Sequence, residues 1–588
     1  MMPSRSVESP LSNVRDGKWF APITLLSYVM CAVGAVTIVF TLLVTIRSYS
    51  PVWMSDQWAF GLELATNGGH YPLHLLWAQH NEHRIPILKI FSLADIYFFS
   101  GRNLSLYAWN WVTQLTMFGL SIYAIRRLGN LSSWQFRTLV GFLAFCEFNP
   151  NQLENFTWGF QSAFFMAFFF SFLAICCLAF YAERVDQRTT HNRSVLLWLC
   201  VAAAFLAECN LASGLILWAI LPFCVLMLGL PRALLRPLLF FGVLSIGLYL
   251  IGYQSPGYHT RPSDALRRPF QVLTYIQTYL AASWDNVSRE WGMFLGAFAI
   301  SFVAAAWLYG VLRHRDRQRL YVVSLSMAML CLQAAAMTAL GRLNFGYSQA
   351  ASSRYQTPAM LFWCFGAIAA VIISSDLRRN QSAFVVLQLV CIAFFVFQAR
   401  SYASILAAYD ATTFNRNVAG LALEAGTDPQ KILNLYPLPG PIDWYRFVSR
   451  NHIIQPPFPE YSDVGASLRS VYEVTPTTMC QGFIDGVQPV AGDSSASFSA
   501  SGWASVHSVL TRKSVIILVG NNDQIAGIGV TGAPRPDIVS AGLLPESQLD
   551  SGWFGYAKFN PSETTARAYE ELSGRKVCPL SGEVKIPR

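Results

Sequence analysis

Long apolar runs dominate the chain up to about residue 400 and then stop. The first covers 20–46. A helix needs about 20 apolar residues to cross a bilayer. This run exceeds the apolar part of a signal peptide and has no cleavage site, so it predicts an uncleaved first span. Ten more runs stand at 104–125, 135–150, 160–181, 194–208, 211–229, 236–252, 291–312, 320–340, 357–374 and 382–400, making eleven predicted spans. The stretch 85–100 is short and broken by Pro86, Lys89 and Asp95, and reads as a helix lying at the interface.

Arginines punctuate this pattern. Arg5, Arg15 and Lys18 precede the first span. Counted alternately, Arg126/Arg127, Arg184/Arg188/Arg193, Arg232/Arg236, Arg313/Arg315/Arg317/Arg319 and Arg378/Arg379 all fall on the same side, which the positive-inside rule makes cytoplasmic. The opposite, external face then receives loops 47–103, 151–159, 209–212, 253–290 and 341–356 and everything after the last span. The chain divides into a cytoplasmic N-terminus (1–19), a transmembrane body (20–400, with 47–103 as its first external loop), a connecting external segment (401–475) and a C-terminal domain (476–588).

Within the connecting segment, 434–461 is rich in proline and aromatics, among them Tyr436, Trp444, Tyr445, Phe458 and Tyr461. It reads equally as a surface stretch covering a site and as a plain linker. From about 476 the pattern turns to short alternating strands. Residues 514–520 and 525–530 are apolar strands around an Asn521-Asn522-Asp523 turn, which predicts an antiparallel β-sandwich. The predicted fold class is thus a polytopic α-helical membrane protein carrying an extracytoplasmic β-sandwich, in a bacterial inner membrane with the sandwich in the periplasm.

Composition sharpens the exclusion. Of 588 residues, 53% are hydrophobic and only 13% charged, against about 25% in soluble domains. Neither an ordinary cytosolic enzyme nor a disordered chain fits. The net charge of +9 does not indicate nucleic acid, because the basic residues sit in short clusters between apolar runs. Ten of twelve cysteines lie in or beside those runs. Cys480 and Cys578 stand alone in the tail, at either end of the β region, and in an oxidising compartment they are expected to pair.

The remaining polar residues gather on the external face. The first loop carries Asp56-Gln57-Trp58 and His80-Asn81-Glu82-His83-Arg84. The next carries Glu154 and Asn155, the tight turn Glu208 and Asn210, the long loop His259, Arg261, Asp264 and Asp285, and the last Arg342, Arg354 and Tyr355. Acids, histidines and arginines converging on one end of a bundle suit a phosphate-bearing ligand. Each has a plainer alternative: a solvated loop acid for Asp56, a helix cap for Glu154, a snorkelling side chain for Arg354, an aromatic belt for Trp58. His80 and His83, three apart, can share a helix face, but no HExxH pattern or cysteine set accompanies them. No P-loop, Rossmann fingerprint or GxSxG is present.

The order of parts over about 18–400 resembles the GT-C superfamily of membrane glycosyltransferases, the polyprenyl-phosphate-sugar-dependent type. One span, a long external loop with an early acid (Asp56), an interfacial helix, about ten further spans and an external tail carry the resemblance. So do Ser353-Arg354-Tyr355 and the turn Asn210-Leu211-Ala212-Ser213-Gly214-Leu215. In the tail, Gly502-Trp503-Ala504, Arg535-Pro536-Asp537 and Ser551-Gly552-Trp553-Phe554 resemble β-sandwich modules attached to bacterial glycosyltransferases. Many members pair two acids in the first loop. Here Gln57 follows Asp56, and the second carboxylate is Glu82, Glu154 or absent.

The resemblance implies transfer of a sugar, with inversion, from a polyprenyl-phosphate donor to a lipid or polysaccharide of the cell envelope. Asp56 is the expected general base. His80, His83, Arg84 and Arg354 are expected on the donor phosphate, and Trp58, Asn155, Glu208, Asn210, Arg342 and Tyr355 around the substrates. No cofactor is assigned, and a divalent ion on the phosphate stays open. The competing functions are a lipid-linked glycan polymerase or ligase, and a lipid-linked sugar flippase or transporter. A transporter should hold its polar residues near mid-membrane, whereas here they cluster at span ends.

Overall fold

A computed structural model describes residues 17–284, 289–312, 319–376, 381–437, 440–476, 480–491, 497–505, 513–572 and 574–587. Arg5, Arg15, Asp285, Arg313, Arg315, Arg317, Arg378 and Arg379, which the sequence pattern uses, lie outside the described residues.

The body is helical. Six helices are long and apolar enough to cross a membrane: Pro22–Arg47, Gly159–Asp186, Arg232–Leu250, Glu290–Gly310, Arg319–Phe345 and Ser353–Ile373. A seventh span results if Gln388–Ala399 and Tyr402–Ala425, bent by 42°, count as one. The predicted eleven is therefore corrected to six or seven among the described residues. Helices stand at the other predicted places, but Ser133–Glu147 has 15 residues and Arg193–Glu208 has 16. At about 1.5 Å per residue these fall short of a roughly 30 Å hydrocarbon layer. Leu104–Leu128 has 25 residues, but its buried face carries Asn110, Gln114 and Ser121. Asn110 donates to the Asn155 carbonyl (2.8 Å) and Gln114 to that of Glu147 (3.1 Å), so this helix buys internal hydrogen bonds with apolarity.

Gly159–Asp186, Arg319–Phe345 and Ser353–Ile373 are the most buried spans and form the centre. The first helix packs on Ser133–Glu147 through glycine. A Cβ on Gly141 would lie 2.4 Å from the Met30 backbone, and one on Gly34 2.7 Å from the Gly141 carbonyl. Small residues allow such close backbone approach.

The first loop is ordered by short elements. Strands β1 (Gln79–His80) and β2 (His83–Arg84) make a hairpin in which His80 pairs with His83. The two histidines therefore do not share a helix face. Asn81 at the turn has φ +51°, a left-handed conformation that asparagine tolerates. The helix Pro86–Phe99 follows, burying Leu88, Ser92, Asp95 and Ile96 and exposing Ile90, Tyr97 and Phe98. The predicted loop 253–290 is also partly helical, with Pro262–Leu266 and Pro269–Ala281.

The C-terminal strands are β3 (Glu473–Val474), β4 (Gly482–Pro489), β5 (Phe498–Ala504), β6 (Val515–Gly520), β7 (Ile525–Ala533), β8 (Gly552–Ala557), β9 (Thr565–Leu572), β10 (Lys576–Pro579) and β11 (Val584–Lys585). They form one sheet, in the order β3-β10-β9-β6-β7-β8-β5-β4 with β11 on β9, not the two sheets of a sandwich. The sheet curls, and edge strand β4 returns to the chain after β10, where Ile484 N donates to the Ser581 carbonyl (3.1 Å). The curl encloses Ile484, Ala500, Leu518, Trp553 and Ala568. A curled sheet thus supplies the apolar interior that the alternating pattern requires.

Cys480 and Cys578 are joined, with Cα atoms 6.0 Å apart, and the other ten cysteines are free. The outer face of the sheet (Ile517, Val519, Ile528, Tyr556) shares a core with Val418, and with Val52 and Trp58 of the first loop. Arg47 at the end of the first span pairs with Asp410 (2.5 Å) and Asp550 (2.8 Å), and Lys513 donates to the Tyr49 carbonyl (2.7 Å). The sheet is thereby fixed to the same end of the body as the first loop.

Candidate functional site

A cavity of about 450 Å³ opens at that end. Four of the five loops that alternate counting places on one face line it, and the second adjoins it at Phe160 and Gln161, just beyond its end. Of the residues expected at a site, Asp56, His80, Glu82, His83, Arg342, Arg354 and Tyr355 line the cavity. Glu154, Arg84, Trp58, Asn155, Glu208 and Asn210 do not line it. The lining grades from this polar cluster to Phe164, Phe168, Ala334 and Met337 of the central helices.

Asp56 sits in a one-turn 3-10 helix, Ser55–Gln57. Ser55 has φ +52°, and its N–H donates to the Leu435 carbonyl (2.6 Å). Gln57 anchors the turn from below: its amide donates to Asn103 Oδ1 (2.6 Å) and accepts from Met54 N (3.3 Å). The Asp56 side chain stays 32% exposed, and His80 Nε2 lies 4.0 Å away. His80 rests against Phe160, ring centroids 5.1 Å apart.

Glu82 is placed differently. Only 14% exposed, it pairs with Arg342 and faces His83 Nε2 (3.4 Å) and His259 Nε2 (3.3 Å). Burial acts to raise its pKa, but His83 and Arg342 outweigh it and hold the carboxyl at about 2. A carboxylate so committed is a weak proton acceptor. His83 Nδ1 accepts from Ala212 N (3.1 Å), which ties the hairpin to the 208–216 turn and requires that nitrogen to be unprotonated. Burial lowers the His83 pKa to about 4, and burial also lowers that of His259.

Arg354 is aimed by its neighbours. Glu154 accepts from Arg354 N (3.1 Å), and Asn155 donates to the Arg354 carbonyl (3.0 Å) and to Thr357 (2.7 Å). Ser353 donates to the Asn151 carbonyl (2.6 Å). Glu154 and Asn155 therefore hold the turn rather than line the cavity. Burial raises the Glu154 pKa, and Arg354 opposes this. The guanidinium carbon lies 5.5 Å from the Tyr355 ring centroid, and Nε is buried without a hydrogen-bond partner. Tyr355 stacks on Tyr279 at 5.1 Å.

Four expected site residues are absorbed by the fold. Arg84 donates to the carbonyls of Tyr249 (2.7 Å), Trp77 (2.7 Å) and Ile251, which occupies its guanidinium within the fold. Trp58 is buried and donates to the Trp53 carbonyl (3.1 Å). Glu208 accepts from Trp218 Nε1 (2.8 Å) and Ser245, and Asn210 donates to the Leu206 carbonyl (2.7 Å).

Sequence reasoning missed Tyr253, Thr260 and Tyr279 in the lining. Tyr275 and Tyr279, four apart on the helix Pro269–Ala281, are both buried. That spacing is a one-face signal, hidden because the stretch was read as loop. A divalent ion needs several donor atoms within reach of one another. Among the described residues the group close enough to share one is Cys480, Glu570 and Cys578, and its two sulfurs are joined to each other. At the cavity the carboxylate of Glu82 is already surrounded by Arg342 and two histidines.

Fold and site define a multi-pass helical membrane protein with a cavity at one end of the body and a C-terminal β-sheet domain fixed to that same end. No protein-family model, no curated protein and no solved structure matches the chain.

Proposed function

We propose that the protein is a membrane glycosyltransferase that moves a sugar from a polyprenyl-phosphate donor to an acceptor at the extracytoplasmic face. The observation that carries this reading is the two-ended cavity, with an accessible carboxylate and a partly unsatisfied arginine at the mouth and an apolar floor between the central helices. That pairing suits a ligand with an anionic head and a lipid tail. The disulfide at the β-sheet domain supports an oxidising, extracytoplasmic side for the same end of the body.

The acceptor hydroxyl gives its proton to Asp56 as its oxygen attacks the anomeric carbon. The bond from that carbon to the lipid phosphate breaks, and its electron pair passes to the phosphate oxygen. Arg354 meets the charge that develops there, its planar fork suiting a phosphate. Attack opposite the leaving phosphate inverts the anomeric centre. Glu82 serves as the anion that holds Arg342, His83 and His259, so Asp56 acts as the single base. A flippase is disfavoured because the polar lining sits at the ends of helices, not halfway along them.

The test is incubation of purified protein with polyprenyl-phosphate sugars and measurement of lipid phosphate release. Asp56→Asn should lower release by about 10²–10⁴-fold, the usual contribution of a general base. Arg354→Ala should weaken donor binding. Release at the wild-type rate by Asp56→Asn would remove Asp56 as the base, and no release from any donor by the wild type would remove the function.

A further inference from the structure

We propose that Tyr436 and Trp444, on the segment connecting body and sheet, form a platform for a sugar ring of the acceptor, which makes the acceptor a carbohydrate. This rests on the reading of Asp56 as the base.

The chain brings the platform to Asp56 by a main-chain bond. Leu435 is buried, and its carbonyl accepts the N–H of Ser55, the residue before Asp56 (2.6 Å). Tyr436 follows directly. Burial first, and the Asp56 charge second, raise its phenol pKa, which marks the hydroxyl as a neighbour of the carboxylate. Trp444 lies beside it, ring centroids 5.6 Å apart at 65°. Both rings are half-buried.

The indole is held from beneath. Gly440 has φ +136°, and a Cβ there would lie 2.4 Å from the Trp444 ring, so the indole rests on bare glycine backbone. On the other side the Trp444 Cβ would be 3.6 Å from a Cβ on Gly61, one helix turn beyond the Asp56 turn. Tyr436 and Trp444 also pack against the core that holds Val52, Trp53 and Trp58 of the first loop, without being buried in it.

Neither ring lines the cavity. Asp56 lines the cavity, and the turn that carries it is bonded to the residue before Tyr436. A base between donor and acceptor sites needs this arrangement, because it must reach a hydroxyl that faces the donor. The rim selects the class of acceptor. Asn434, Asp443 and Arg446 around the rings are exposed, and Asp443 and Arg446 pair at 3.8 Å. Half-exposed amphipathic rings within a polar, hydrogen-bonding rim suit a hydroxylated ring with an apolar face. An acyl chain would meet charges there.

The experiment is saturation-transfer NMR on the full chain in detergent micelles, with maltotetraose, cellotetraose, mannotetraose and galactotetraose as probes. At least one should bind, and Tyr436→Ala and Trp444→Ala should each weaken it at least tenfold, while Asp56→Asn leaves binding within about twofold. Tyr436→Phe, which keeps the ring, should retain most of the affinity and covers the case in which Trp444→Ala fails to fold. The proposal is overturned if the wild type binds none of the four, if the ring variants bind as the wild type does, or if phospholipid vesicles added to the micelles displace the sugar. Sugar binding through the two rings with no transfer from any lipid-phosphate donor would leave the platform standing and remove the glycosyltransferase reading. Transfer with no loss in the ring variants would do the reverse.

Discussion

Replacing Glu82 by alanine separates scaffold from chemistry more sharply than any change at Asp56. Glu82 and Arg342 are 14% and 18% exposed, and the carboxylate also faces His83 and His259. Removing one partner of a buried pair costs about 3–5 kcal/mol, because the other charge is left without compensation. The residual exposure of both groups places this pair at the lower end, about 3 kcal/mol, or roughly two powers of ten in the unfolding constant. Arg342→Ala strands the carboxylate and should cost a similar amount. The double variant removes both charges, so the coupling from a double-mutant cycle should be about 2 kcal/mol. Asp56→Asn should cost under about 0.5 kcal/mol, since Asp56 is 32% exposed and the His80 imidazole is 4.0 Å away. The assay is denaturant unfolding in detergent, followed by tryptophan fluorescence. If the Glu82 and Arg342 effects simply add within about 0.5 kcal/mol, or if Asp56→Asn destabilises as much as Glu82→Ala, the division into scaffold and chemistry is wrong.

Three further outcomes follow from the same contacts. Arg84→Lys keeps the charge but not the fork across three carbonyls, and should cost about 2–4 kcal/mol with donor affinity unchanged; a loss of donor affinity alone would return Arg84 to the phosphate. Cys480→Ser opens a link spanning 98 residues and should lower stability of the sheet by about 2–4 kcal/mol, with reductant doing the same to the wild type; insensitivity to both shows the thiols are free. The pH dependence has a definite sign. His83 is held neutral in the fold at a pKa lowered from 6.5 to about 4, so the unfolded chain gains the proton first and stability falls as pH drops through that window. The paired form of Glu82 is then lost between 4.5 and about 2. A thermal midpoint that stays flat from pH 7 to 4 contradicts this placement of His83.

Much of this was legible in the sequence because it depends on local pattern. The first loop, its early acid and the hairpin histidines reach one cavity together with Arg342, 260 residues beyond Glu82, and Arg354. Strands β6 and β7 likewise stand where apolar runs around Asn521-Asn522-Asp523 place them. What failed is non-local. Run length alone does not tell a 15-residue buried helix such as Ser133–Glu147 from a span, because tertiary packing makes both apolar. Period-2 alternation does not tell a curled single sheet from two facing ones, since both alternate inward and outward residues. Arg84 and Arg354 look alike in sequence, and only the carbonyls that converge on Arg84 distinguish them.

That last difference carries the functional argument. Burial makes a charge expensive unless it is paired or hydrogen-bonded, and several arginines with little exposure are committed to the fold in this way. Arg47 holds two aspartates, Arg84 three carbonyls and Arg342 a glutamate, while Arg416 donates to the carbonyl of Val52. A cation committed in this way gains little from a phosphate, because binding it would break a contact already made. Of the two arginines that line the cavity, Arg354 keeps a buried N–H with no partner, and Glu154 and Asn155 hold its backbone in place without covering its guanidinium. An unsatisfied buried donor costs about 1–3 kcal/mol, and a ligand phosphate accepting from it would recover that cost on binding. If the protein is the glycosyltransferase we propose, the anionic head of its donor binds at Arg354, and Asp56, in the same lining, takes the acceptor proton.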